Sequence, residues 1–267
     1  MNNFHKFLNS KKLFIVAGPC VIESEKIAFD IAREIKSITE RHGVFFVFKS
    51  SYSKANRTKK DSFTGPGLRE GIKILCRIKK ELNIPICSDV HDCSEVKYVA
   101  NNLDIIQIPA FLSRQTNLIN EAAMTKKYIN VKKAPFLSAN ACKHIVEKIE
   151  SNNNQKIILT ERGNSFGYEN LVVDMRNIPI LKKFNHPVLI DATHSNQKPN
   201  QSSGVSGGTP EFIETIALSG VAAGADGLFI EVHPEPKDAL SDGQNMLRLD
   251  SLENLLVKLK KIKLALF

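Results

Sequence analysis

The stretch Gly227-Leu228-Phe229-Ile230-Glu231-Val232-His233-Pro234 decides the fold. Leu228, Ile230 and Val232 alternate with Phe229, Glu231 and His233, and a period of two marks a strand. One face is wholly apolar and suits packing beneath helices. The other ends in two polar residues, as a barrel strand does where its C-terminal tip opens on a site. Working back along the chain, the same pattern recurs. Asp191 and His194 lie at the end of Val188 to His194, and Thr160 and Arg162 share a parity in Lys156 to Arg162. In Ile129 to Ala134, Val131 alternates with Asn130 and Lys132, which turns Lys132 inward and Lys133 outward. Gln107 lies in Ile105 to Ala110, and Asp89 and His91 share a parity in Pro85 to His91. Lys49 falls near the end of Val44 to Ser51, and Cys20 closes Leu13 to Cys20.

Helical stretches separate these eight runs. From Ser24 to about His42, Ile27, Ile31, Ile35 and Ile38 recur at spacings of four and three, with Ser24 where an N-cap belongs. Others are expected over Leu68 to Leu82, near Ser113 to Lys127, from Pro210 to about Gly224 and from about Ser251 to Leu264. Alternating strands and helices imply a parallel sheet, and eight such units in about 250 residues imply an α/β chain closed into a single (β/α)8 TIM barrel. The competitor, a doubly wound open sheet, lacks its Gly-x-Gly-x-x-Gly after the first strand. No linker or composition shift divides the chain, so one domain is expected over residues 1–267.

Composition agrees with that class. The 267 residues are 42% hydrophobic and 24% charged, which excludes disordered, collagen-like and coiled-coil chains. No apolar run approaches the roughly 20 residues that span a bilayer, and the opening residues lack a signal-peptide core. Five cysteines without a Cys-x-x-Cys pair argue for a reducing cytoplasm rather than a disulfide framework. A net charge of +9 admits an anionic partner. Without zinc-finger spacing or an aromatic-and-basic RNA motif, nucleic acid is not expected.

Charged residues closing nearly every strand are costly to bury together unless ligands or partners satisfy them. Lys49, Lys132 and Arg162 converge with Gln107 on one mouth, which suits a multiply charged anion such as a phosphorylated carboxylate. Lys54, Asn56 and Arg57, in the loop after the second strand, either grip a second phosphate or form a solvated loop. Cys20, His194, Glu231 and Asp242 are candidate ligands for one divalent ion, more like zinc or iron than magnesium. The alternative for Cys20 is buried packing.

Several motifs together resemble 3-deoxy-D-manno-octulosonate 8-phosphate synthases. They are Ala17-Gly18-Pro19-Cys20, Lys54-Ala55-Asn56-Arg57, Asp89-Val90-His91, Gln107-Ile108-Pro109-Ala110, Asn130-Val131-Lys132-Lys133, Asp191-Ala192-Thr193-His194 and Glu231-Val232-His233-Pro234. The resemblance spans essentially the whole chain. It implies condensation of phosphoenolpyruvate with arabinose 5-phosphate and water, a step toward lipopolysaccharide, by a cytoplasmic homotetramer without an organic cofactor. Carried over, Lys49, Gln107, Lys132 and Arg162 form the phosphoenolpyruvate site, and Lys54, Asn56, Arg57, Asp89 and Ser206 contact the sugar phosphate. Catalysis falls to Lys49, His194 and Asp242. Cys20, where other members carry Asn, resembles the metal-dependent branch, with His194, Glu231 and Asp242 as fellow ligands of zinc, iron or manganese. The nearest rivals are a 3-deoxy-7-phosphoheptulonate synthase using erythrose 4-phosphate and a barrel that binds phosphosugar or metal without turnover.

Overall fold

The computed structural model describes residues 12–55, 61–199, 201 and 207–266, together with Phe4, Phe7 and Leu8. Eight parallel strands form its centre: β1 (Phe14–Gly18), β2 (Phe45–Lys49), β3 (Ile86–Asp89), β4 (Ile105–Ile108), β5 (Tyr128–Lys132), β6 (Ile157–Glu161), β7 (Val188–Asp191) and β8 (Gly227–His233). They pair in chain order, and β1 closes on β8 with Phe14 opposite Gly227 and Gly18 opposite Glu231. The closed (β/α)8 barrel expected from the alternation is therefore what the chain forms.

Helices follow the strands: α1 (Glu25–His42), α2 (Leu68–Leu82), α3 (Cys93–Asn102), α4 (Thr116–Met124), α5 (Lys143–Ser151), α6 (Asn177–Lys182), α7 (Ile213–Ala222) and α8 (Leu252–Ala265). α1 shows why. Ile31, Ile35 and Ile38 lie on its buried face, and the Ser24 side chain accepts the Ile27 N–H at 3.2 Å, satisfying one orphan donor of the first turn. Gly43 ends it in the left-handed conformation. α7 lies so close to β7 that a Cβ on Gly220 would meet Ile190 side-chain atoms at 2.6 Å.

Strands stop earlier than the sequence patterns suggest, for local reasons. β1 ends before Pro19 and β4 before Pro109, since proline offers no N–H to a ladder. β7 ends at Asp191, whose Oδ1 accepts the N–H groups of Thr193 and His194 and turns the chain. After β6, the helical stretch expected from the sequence is preceded by an antiparallel ribbon, Asn164–Phe166 with Asn170–Val172.

Inward-facing residues sort by height. Near the N-terminal ends of the strands, Phe14, Val16, Val47, Cys87, Ile105, Tyr128, Ile158, Leu189 and Phe229 form an apolar core, against which Phe4, Phe7 and Leu8 pack. Two residues further along the strands the same face turns polar, with Lys49, Asp89, Gln107, Asn130, Thr160, Asp191 and Glu231 all buried. The side chains between strands and helices form a separate, larger apolar layer. Among the described residues no helix is long and apolar enough to cross a membrane.

Candidate active site

The polar tips open on a cavity of about 190 Å³ lined by Lys49, Lys54, Asp89, His91, Gln107, Lys132, Arg162, Asp191, His194, Gln197 and Asp242, with Pro109 to Leu112 on one wall. Asn56, Arg57 and Ser206 lie outside the described residues. Four cations, Lys49, Lys54, Lys132 and Arg162, thus meet in one cup.

Lys132 is the most constrained. Its Nζ donates to Asp191 Oδ2 and sits 3.0 Å from the centroid of the Phe229 ring. Burial pulls its pKa down to about 8, against the opposing pull of Asp191. Asp191 is itself over-determined, accepting from two backbone N–H groups, from His194 Nδ1 at 2.8 Å and from Lys132. Burial disfavours its charge, yet His194 and Lys132 overcome this and hold the carboxyl far below the usual range.

Lys49 Nζ donates to Ser51 Oγ at 3.0 Å, and Ser51 donates to Asp89 Oδ1 at 2.5 Å. Asp89 Oδ2 faces His91 Nε2 at 3.0 Å. Burial works against the Asp89 carboxylate, but Lys49 and His91 keep its pKa well below the ordinary value. Arg162 donates from Nη2 to Gln197 Oε1 at 2.8 Å, and burial lowers its pKa. Lys54 is raised: burial opposes its charge, and Cys20, Glu231, Asp89 and Asp242 more than compensate. On the far wall Gln107 Oε1 accepts from Asn130, which accepts from Thr160, leaving the Gln107 NH2 as the donor for a ligand. Lys133, turned outward, is spent on Glu161 and three backbone carbonyls.

Cys20, Glu231 and Asp242 bring one donor atom each within 4.8 Å of one another. His194 stands beside this group, with Nε2 3.6 Å from Glu231 Oε1. Since Nδ1 is engaged by Asp191, the Asp–His contact presents Nε2 as the lone-pair nitrogen, the arrangement that orients ligating histidines. Both Glu231 oxygens are buried without a hydrogen-bond partner. A buried carboxylate in that state calls for a cation, and Lys49 Nζ approaches only to 3.6 Å. Burial raises the Cys20 thiol well above its ordinary pKa, with Glu231 adding to the effect; such a thiol ionises readily only beside a cation. Sulfur, imidazole and carboxylate donors fit a borderline dication such as zinc, iron or manganese.

Three residues that shape the cup have no site role in the sequence reading, although it places Asp191 at its strand tip and Phe229 on the same face as Glu231. Asp191 pins both Lys132 and His194, and its spacing of three from His194 was the visible signal. Ser51 bridges Lys49 and Asp89. Phe229 floors the site as the last apolar residue before Glu231.

Fold and strand-tip chemistry define an α/β-barrel enzyme whose pocket brings Lys49, Lys54, Lys132 and Arg162 together with Asp89, Asp191 and Asp242. The chain belongs to the DAHP synthetase I family, whose model matches residues 8–266. Three relatives carry the name 2-dehydro-3-deoxyphosphooctonate aldolase. That of Geobacter sp. (strain M21) is 50% identical over 257 residues, covering 96% of this chain and 94% of the relative. That of Koribacter versatilis is 48% identical over 261 residues, 97% and 94% of the two chains. That of Desulfotalea psychrophila is 47% identical over 257 residues, 96% and 92%.

Proposed function

We propose that the protein condenses phosphoenolpyruvate with D-arabinose 5-phosphate and water, giving 3-deoxy-D-manno-octulosonate 8-phosphate and phosphate for lipopolysaccharide synthesis. The observation that carries this is the meeting of Lys49, Lys54, Lys132 and Arg162 in one cavity. Relatives of nearly the same length, named for the octonate product, support the five-carbon acceptor.

Lys132, Arg162, Lys49 and Gln107 bind phosphoenolpyruvate, its phosphate and carboxylate shared among point charges and the guanidinium fork. Lys54, Asn56, Arg57, Asp89 and Ser206 hold the sugar phosphate. Orienting both substrates supplies much of the rate. The enol carbon attacks the aldehyde carbon, and Lys49 gives a proton to the alkoxide that forms. Ser51 and Asp89 keep the Lys49 ammonium aimed at that point. Water adds to the positive C2 with loss of a proton, which restores the one given up by Lys49. The C2–O bond of the hemiketal phosphate then breaks, the hydroxyl proton leaving with phosphate as the C2 carbonyl forms. Cys20, His194, Glu231 and Asp242 would hold a divalent metal, which when bound supplies Lewis-acid polarisation or an acidified water. His194 and Asp242 thereby join Lys49 in catalysis. A cytoplasmic homotetramer completes the reading, supported on the cytoplasmic side by cysteines that are all free.

The family description is shared with the erythrose 4-phosphate reaction, so the acceptor is what needs testing. Phosphate release from phosphoenolpyruvate should run with arabinose 5-phosphate and fall at least about tenfold with erythrose 4-phosphate, a single favourable contact's worth of discrimination. Faster release with the four-carbon sugar would reassign the activity. No release with either would favour a binding barrel.

A further inference from the structure

We propose that Glu23 is a positioning residue that latches the segment carrying Asp242 to the loop carrying Cys20. The proposal rests on the metal-site reading above and extends it to a residue outside the ligand set.

Two loops meet at this point. The segment after β1 is rigid: Ser51 N–H donates to Cys20 O at 3.3 Å, Ile22 N–H donates to Ser51 O at 3.0 Å, and Val21 forms an isolated parallel bridge with Ser51. Glu23 follows directly, so its carboxylate starts from a fixed base. Its side chain is only 6% exposed. Oε1 accepts the Leu240 N–H at 2.9 Å, and Oε2 lies 3.7 Å from His233 Nε2. His233 accepts the Glu235 N–H at Nδ1, which puts the ring proton on Nε2, facing Glu23. His233 Nε2 makes no hydrogen bond at that distance, so the tie is the one to Leu240, which fastens the segment after β1 to the far limb of the loop after β8.

That far limb has reason to need a latch. Ser241 and Asp242 reach Cys20 Sγ at 2.9 and 3.2 Å. Asp242 does so from a left-handed backbone, φ 51° and ψ 24°, which is costly for a residue with a Cβ. The turn behind it is tight, since a Cβ on Gly243 would lie 2.1 Å from Pro236 O. A charged acceptor on Leu240 N–H makes a strong hydrogen bond two residues before Asp242 and offsets that strain. The two loops are thus closed at both ends, by Glu23 with Leu240 and by Cys20 with Ser241 and Asp242.

The test is Co²⁺ titration of the whole protein, read by the thiolate-to-cobalt absorbance, combined with amide exchange at residues 240–242 without metal. Glu23→Ala should weaken Co²⁺ binding about 10- to 100-fold, as loss of an outer-shell partner does, and speed exchange at these amides at an unchanged melting temperature. Glu23→Gln keeps the carbonyl acceptor and should restore most of both. Wild-type affinity and unchanged exchange in Glu23→Ala would overturn the latch. If wild-type protein gives no thiolate band and matches Cys20→Ala, the metal reading fails instead. Exchange then decides alone: faster exchange in Glu23→Ala upholds the latch, and unchanged exchange refutes it. Should Glu23→Ala not fold, Glu23→Leu, which fills the space without offering an acceptor, takes its place with the same expected and contrary results.

Discussion

Lys132→Ala should lower kcat/KM for phosphoenolpyruvate by about 10²- to 10³-fold, the loss typical of one preorganised electrostatic group in a desolvated site. Lys132 is buried, fixed by Asp191 and seated on the Phe229 ring, so no mobile neighbour replaces its charge. The barrel should survive. Asp191 loses one partner but keeps His194 and two backbone N–H groups, so its charge is not stranded. Steady-state kinetics and circular dichroism on the same sample check both halves. Near-normal turnover would remove Lys132 from the site.

A pH profile sharpens this. With its pKa near 8, unliganded Lys132 loses its proton as pH rises through that value, so phosphoenolpyruvate affinity should weaken above about pH 8. Unfolding does not explain such a loss. An unfolded lysine keeps its proton to about pH 10.4. Between the two values the unfolded chain binds more protons, and this group's contribution to stability rises with pH. Calorimetric affinities at pH 7 and 9, beside melting temperatures, separate the two effects.

Chelation should have the second large effect. Dialysis against a strong chelator is expected to cut turnover by more than the roughly 10- to 100-fold that loss of an outer-shell partner alone causes. Re-addition of zinc, iron or manganese should restore it, and Cys20→Ala should match the chelated enzyme without rescue. The physical reason is the Glu231 carboxylate, buried with both oxygens unsatisfied beside Cys20 and Asp242. Full activity in chelator would return Cys20 to the role of a packed core residue.

The barrel was legible because its two periodicities are strong. Period-two strands and the Ile31, Ile35 and Ile38 stripe of α1 each expose one apolar face to one neighbour, and parity alone turned Lys132 in and Lys133 out. Strand ends were less legible, since they depend on Pro19, Pro109 and the side-chain turn at Asp191 rather than on hydrophobicity. The ribbon Asn164–Phe166 with Asn170–Val172 escaped because its burial is slight and carries no period. Which tips share one cavity follows from barrel closure, but Ser51 as a bridge, Asp191 as a double anchor and Glu23 as a latch depend on distances between loops far apart in sequence. His194 shows the limit: a sequence can nominate it as a ligand, but only geometry reveals Asp191 turning its Nε2 toward Glu231.

The most direct measurement is a crystal structure with phosphoenolpyruvate bound. Its phosphate and carboxylate should lie within hydrogen-bonding distance of Lys132 and Arg162, with the enol carbon facing Lys49 and the Cys20–Asp242 side of the cavity. Phosphoenolpyruvate bound elsewhere on the barrel, with Lys132 still closed on Asp191 and Arg162 on Gln197, would contradict the cationic cup as the reaction site.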